Sequence, residues 1–260
     1  SDISPLMAAS TINGSVYILD TENGDILMQK SISNGTQSSS YRISFVQGKE
    51  HVMDNDMLLI YNLHEQNERS SSQPDGILVS NLNKESIQSS KIKIDGIKFT
   101  DCPAFISTIC VCQLEQEVLR FVTGFENGSV SVYDYQIEKK KMVLNCHSFV
   151  NSLPQYVDLM NIGTDSNGEN VLVIPVHESD ETVSICWYDL NSLNCIGRHS
   201  ITSNNTSIKA LASIKHCFEN SIAAAMIISN ENEDRLVIVL GAVCEMMNNV
   251  QIRNIQQVFS

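Results

Sequence analysis

No apolar stretch in this chain of 260 residues approaches the roughly 18–20 residues that a membrane-spanning helix needs. No signal-peptide pattern opens it either, so the sequence predicts a soluble protein. Basic charge is scarce, with 17 Lys and Arg against 30 Asp and Glu and a formal charge of −13. An acidic balance of this size repels phosphate backbones and removes the electrostatic attraction behind most nonspecific nucleic-acid binding. Direct nucleic-acid binding and anionic-membrane binding are therefore not expected. Lys139-Lys140-Lys141 is a local exception and reads as a solvated loop tip between strands.

Local catalytic and metal motifs are missing as well. There is no Gly-x-Ser-x-Gly elbow, no Gly-rich phosphate loop, no His-Glu-x-x-His and no Arg-Arg pair. Cys110 and Cys112 fall on one face of a strand, but no second close Cys or His pair completes a zinc site. Cys146 and His147 are adjacent, and neighbouring strand residues point to opposite faces, which separates a would-be nucleophile from its base. His51, His64, His177, His199 and His216 are scattered without ligand spacing. Glu178-Ser179-Asp180-Glu181 gathers three carboxylates at a turn yet lacks the ordered pattern of a calcium loop. No catalytic, cofactor-binding or metal residue is assigned, no cofactor is expected, and the partner-binding residues stay unassigned.

What the chain does have is a large apolar share, 42%, with only 18% charged residues. The apolar residues come in short runs, such as Met57-Leu58-Leu59-Ile60, Val171-Leu172-Val173-Ile174 and Leu236-Val237-Ile238-Val239-Leu240, fenced by Asn, Asp, Gly or Ser. Runs of that length with turn punctuation predict strands, and no convincing amphipathic helix appears. The eight cysteines, Cys102, Cys110, Cys112, Cys146, Cys186, Cys195, Cys217 and Cys244, are spread through strand-like segments. A chain with its own core has no need of a disulfide framework, so they read as reduced and buried in an intracellular protein, nuclear or cytoplasmic.

One phrase recurs. Ile12-Asn13-Gly14-Ser15-Val16-Tyr17-Ile18-Leu19-Asp20 returns as Glu126-Asn127-Gly128-Ser129-Val130-Ser131-Val132-Tyr133-Asp134. A weaker copy, Asp180-Glu181-Thr182-Val183-Ser184-Ile185-Cys186-Trp187-Tyr188-Asp189, keeps the strand and closing Asp but not the glycine. The two glycines stand three units of roughly 38 residues apart, near the roughly 40–45 of a four-stranded propeller blade. Asn-x-Ser/Thr triplets at Asn13, Asn34, Asn127, Asn204 and Asn205 include these two turns, where Asn-Gly suits the positive φ of a type I′ hairpin better than it signals glycosylation.

Six units can be read along the chain. The first is a meander of Leu6–Ser10, Val16–Asp20 and Ile26–Ile32; the second holds Tyr41–Val46 and Met57–Leu63, and the third Ile77–Leu82 and Ile92–Phe99. The fourth contains Phe105–Leu114, Leu119–Gly124, Ser129–Tyr135 and Met142–Cys146; the fifth Tyr156–Ile162, Asn170–Val176, Val183–Leu190 and Asn194–Ser200. The sixth holds Ile208–Ile214, Ile222–Ser229, Leu236–Leu240 and Val250–Phe259, with Ile222–Ile228 read as strand despite its three alanines. Residues 65–75, all polar, are a mobile loop or a junction with residues absent from the numbering. The expectation is a single all-β domain over 1–260, a propeller of four-stranded antiparallel blades, six to seven of them and seven counting a divergent or incomplete one. The opening blade is expected to take a strand from the far end of the chain.

Gly124-Phe125-Glu126-Asn127-Gly128-Ser129-Val130-Ser131-Val132-Tyr133-Asp134 resembles the third-strand signature of the WD-repeat family, with Tyr133-Asp134 in place of Trp-Asp. Leu19-Asp20 and Tyr188-Asp189 take the same place, and Cys146-His147 resembles the Gly-His pair that begins a unit, without its glycine. The stretch Val122–Val130, with Asn145-Cys146-His147 and Val157-Asp158-Leu159, is similar to the family of Gβ-like WD-repeat subunits of the ASTRA assembly. That resemblance implies a part in maturing phosphatidylinositol-3-kinase-like kinases through a co-chaperone complex. The function expected is a noncatalytic interaction scaffold in a multiprotein complex, its preformed surface losing little ordering entropy on docking. The competing classes are a propeller-fold enzyme with a central-channel site assembled from distant loops, and a peptide or modified-residue reader.

Overall fold

The computed structural model describes residues 6–11, 15–31, 41–46, 57–62, 76–80, 87–89, 91–115, 117–150, 154–164, 169–179, 182–202, 207–214, 221–229, 234–242 and 253–255. Among them the chain forms five antiparallel sheets. The first is a meander of β1 (Leu6–Ser10), β2 (Ser15–Asp20) and β3 (Ile26–Ser31). The second runs β4 (Tyr41–Phe45), β5 (Leu58–Asn62), β6 (Gly76–Ser80) and β7 (Lys93–Ile97). The third is β8 (Ile106–Glu115), β9 (Val118–Phe125), β10 (Ser129–Gln136) and β11 (Lys141–Phe149). The fourth holds β12 (Asn161–Thr164), β13 (Asn170–Ser179), β14 (Thr182–Asp189) and β15 (Cys195–Thr202). The fifth holds β16 (Ser207–Ile214), β17 (Ser221–Ser229), β18 (Asp234–Ala242) and β19 (Arg253–Ile255).

Three expectations change. The second and third units of the sequence reading are one sheet, because β6 pairs with β5 as well as β7. The polar tract between them joins two strands of a sheet rather than two sheets, and residues 65–75 themselves lie outside the described residues. The apolar run 156–162 is not one strand: α1 (Pro154–Val157) makes a helical turn, closed by Leu159 and Met160 N–H bonds to the Tyr156 and Val157 carbonyls, before β12 begins. Pro at the first helical position is pre-set for that turn. Finally, the opening sheet has three strands among the described residues, where a fourth from the far end is expected; β19 pairs with β18, as the last strand expected of the sixth unit. Ile222–Ile228 is extended within β17, so its alanines do not make a helix.

The chain divides into two compact units, residues 1–121 with 134–143 and residues 122–133 with 144–260. In the first, β4 lies against β1 and β8; in the second, β12 lies against β16. Each of these is the first strand of its sheet, so within each unit these sheets meet along their leading strands, and β15 lies against β18 as well. Burial follows strand order. Successive residues of β13, Val171, Leu172, Val173 and Ile174, are all at most 2% exposed, and since they alternate in direction both faces of the strand are covered. The last strand, β11, is exposed or half-buried along its length.

Sheet-to-sheet packing supplies the cores. Val16 and Ile18 of the first sheet pack with Leu58, Ile60 and Val79 of the second. Val171, Val173, Ile185 and Trp187 of the fourth pack with Tyr156 and with Ile208 of the fifth. Each such side chain contributes about 1.5–3 kcal/mol by leaving water. Phe99, Phe121 and Tyr135 add two edge-to-face ring contacts, with centroids 5.7 Å and 6.2 Å apart.

Candidate functional site

The recurring phrase marks the ends of second and third strands, and its closing aspartate has two different jobs. Asp20 and Asp189 organise turns of the same construction. The Asp20 N–H donates to the Asp25 carbonyl and the Gly24 N–H donates to the Asp20 carbonyl; the Asp189 N–H donates to the Asn194 carbonyl and the Leu193 N–H to the Asp189 carbonyl. In each, the carboxylate folds over the turn: Asp20 Oδ1 accepts from the Glu22 N–H at 2.9 Å, and Asp189 Oδ1 from the Asn191 and Ser192 N–H groups at 3.0 and 2.8 Å. Gly24 and Leu193 hold the same left-handed position, φ 76° and 53°.

The likeness extends to the pairing behind the turns. A one-residue bulge follows Ile18↔Met28, with Leu19 next opposite Ile26, and the same shift follows Trp187↔Gly197, with Tyr188 next opposite Cys195. The first and fourth sheets therefore match residue for residue here, although the third copy of the phrase has lost its glycine.

Asp134 does something else. Its carboxylate takes both Arg120 Nε, at 2.8 Å, and Nη2, at 3.0 Å, from the neighbouring strand β9. Ahead of it, the Asn127-Gly128 turn is not the type I′ hairpin expected. Only Gly128 has positive φ, 82°, and its N–H donates to the Phe125 carbonyl at 2.9 Å, so Glu126 and Asn127 stay right-handed and glycine takes the bulge position. Asn127 Oδ1 stabilises the turn by accepting from the Ser129 N–H and hydroxyl at 3.1 and 2.6 Å. Asn13 and Gly14 lie outside the described residues, though Thr11 and Ser15 hydrogen-bond across the mouth of that turn.

The residues weighed from sequence do not converge. Cys110 and Cys112 sit together on β8, where burial and then the neighbouring Cys112 push the Cys110 thiol up to about 12 and make it a poor nucleophile. His147 Nδ1 is 3.0 Å from the Ser131 hydroxyl on β10, so its partner is the serine across the strand pair. Lys140 ends a hairpin with φ 49° and pairs with Asp95, which raises its ammonium pKa, while Lys139 and Lys141 are exposed, as a loop tip requires. Burial lowers the His199 pKa. His51, His64, His216 and the Asp180-Glu181 pair lie outside the described residues. No group of three or more His, Cys, Asp or Glu that could hold a metal ion occurs among the described residues. No helix among them is long and apolar enough to cross a membrane. None of the six described cysteines forms a disulfide. One cluster was missed from sequence: Cys186 and Cys195 meet across β14 and β15, nine positions apart and aligned by a bulge that no period-two pattern reveals.

No family model matches the chain, and no curated protein matches it. Solved structures do. The chain is similar to KlAtg21 in its complex with the coiled coil of AgAtg16, at 12% identity and TM-score 0.56 over 96% of this chain and 67% of that one. It is similar to BBS1N in complex with ARL6DN, at 11% identity and TM-score 0.55 over 96% of this chain and 65% of that one. It is also similar to SapL1 lectin in complex with alpha methyl fucoside, at 10% identity and TM-score 0.51 over 97% and 76%. The chain thus spans about two thirds of the length of the first two. Together with the four-stranded antiparallel sheets, these likenesses define an all-β propeller.

Proposed function

We propose that this chain is a noncatalytic protein-interaction scaffold, one subunit of a multiprotein assembly, with residues 1–260 forming a single propeller domain. The observation that carries the reading is that chains of similar fold were solved holding a coiled coil and ARL6DN. A ring of packed sheets would present a preformed surface, so docking would spend little on ordering. The charge of −13 favours partners with basic patches and disfavours nucleic acid. Six cysteines without a disulfide among the described residues suit an intracellular location, nuclear or cytoplasmic. The finer reading is a role in assembling phosphatidylinositol-3-kinase-like kinases with a co-chaperone complex. Its support is the stretch Val122–Val130 with Asn145-Cys146-His147 and Val157-Asp158-Leu159.

Affinity purification of the native protein, followed by sizing and stoichiometry, tests both. Protein subunits at equal stoichiometry support the scaffold, and kinase and co-chaperone subunits among them support the finer role. Recovery of the chain alone, with turnover in a generic hydrolase screen, would replace the scaffold by an enzyme with a channel site.

A further inference from the structure

Side chains alternate along a strand, so Cys195 and Arg198, three positions apart on β15, belong on opposite faces of a regular ladder. The bulge changes that. Cys186 pairs with Arg198, Trp187 with Gly197 and Tyr188 with Cys195, leaving Ile196 unpaired and exposed. Cys186, Tyr188, Cys195 and Arg198 are thereby collected on one face. The Cys195 Sγ lies 3.2 Å from the Gly197 carbonyl, to which it donates, and Cys186, Arg198 and Tyr188 interact electrostatically with the same pair of sulfurs. Cys195 is exposed to solvent and Cys186 is buried.

The fold does not require these groups. In the first sheet the same bulge places Tyr17, Ile26 and Gln29 where Cys186, Cys195 and Arg198 stand, and there Gln29 Nε2 donates to the Tyr17 hydroxyl at 3.2 Å. An identical turn and bulge are thus built without sulfur or charge. The chemistry of the fourth sheet is separate from its architecture.

We infer that Cys195 and Cys186 form an oxidation site, in which exposed Cys195 reacts with a hydroperoxide and buried Cys186 resolves the product to an intrachain disulfide. The hydrogen bond from Cys186, the Gly197 backbone and the Arg198 guanidinium lower the Cys195 thiol to about 6, whereas Cys186 is pushed up, so the pair holds one thiolate and one thiol at neutral pH. In the first step the Cys195 sulfur attacks one peroxide oxygen. An S–O bond forms, the O–O bond breaks, and the departing hydroxide takes up the proton that Cys195 had released, leaving as water. Cys195 is now a sulfenic acid, oxidised by two electrons that the peroxide has accepted. In the second step the Cys186 sulfur attacks the Cys195 sulfur. The S–S bond forms, the S–O bond breaks, and hydroxide leaves with the Cys186 proton as a second water.

The test uses the purified full chain, reduced and then treated with one equivalent of hydrogen peroxide, with peptides mapped by mass under nonreducing conditions. The expected product is a Cys186–Cys195 linked peptide, lighter by two hydrogens and restored by dithiothreitol. Cys186→Ser should instead stop at a dimedone-trappable sulfenic acid on Cys195, and Cys195→Ser should lose both products. Unmodified Cys195 when other cysteines are oxidised, a disulfide through a different cysteine, or wild-type Cys195 running on to sulfinic acid without a cross-link would each overturn the inference. The wild-type map decides the matter even where the buried Cys186 variant folds poorly.

Discussion

Asp134 grips Arg120 with both carboxylate oxygens, and the two side chains are only 20% and 6% exposed. A bidentate guanidinium–carboxylate pair of this kind fixes the register of β9 against β10 as well as neutralising a buried charge. Asp134→Ala removes the carboxylate that Arg120 grips and should destabilise the protein by about 3 kcal/mol, read as a lowered urea midpoint by circular dichroism. Replacing both, Arg120→Met with Asp134→Ala, should restore most of that loss. A double variant as unstable as the single would mean that the pair is not what the site depends on.

Gly24 and Leu193 occupy one conformation in matching turns, but only the Gly24 substitution should follow a simple strain argument. Nothing approaches within 4 Å of a Cβ built on Gly24, so Gly24→Ala has only the left-handed backbone to oppose it, about 1 kcal/mol. Leu193→Gly would relieve a similar strain, but Leu193 is 4% exposed and its burial is worth about 2 kcal/mol. Burial wins, so both changes should lower the thermal midpoint.

Trp187 is the only tryptophan, is 1% exposed, and its indole N–H has no hydrogen-bond partner among the described residues. Trp187→Phe keeps most of the ring contact with Val171, Val173 and Ile185 and removes the unpaired donor, so it should cost no more than about 1.5 kcal/mol. Trp187→Ala opens a cavity between the fourth and fifth sheets and should cost about 3–5 kcal/mol. Denaturation followed by circular dichroism measures both, since the variants have no tryptophan emission.

Much of the strand pattern was legible because short apolar runs were fenced by turn residues; β8 to β11 and β13 to β15 lie within a few residues of their expected bounds. Grouping was harder, since a polar tract inside a sheet looks the same as one between sheets. Tyr156-Val157 read as strand because its apolar run carries no helical period over one turn. The closing aspartates were visible as a motif, but sequence alone could not separate the turn-folding Asp20 and Asp189 from the arginine-bound Asp134. The Cys186–Cys195 contact was hidden more deeply, because a bulge changes which residues share a face without changing the composition of the strand.

Acidity should act on that contact in a definite direction. Cys195 is faced by Cys186 and Tyr188 from β14 and by Arg198 from its own strand, and it titrates near 6 in the fold against an ordinary thiol value of 9.0. A lowered pKa means that the folded state prefers the thiolate. Its stabilisation is full above the unfolded value, declines as pH falls from about 9 toward 6, and is gone below that. Wild type should therefore lose stability relative to Cys195→Ser on going from pH 9 to pH 6, compared by urea midpoints at each pH. In the same window, iodoacetamide should label Cys195 at a rate that rises with a midpoint near pH 6, while Arg198→Gln shifts that midpoint upward. A midpoint unmoved by Arg198→Gln would mean that the guanidinium does not hold the thiolate.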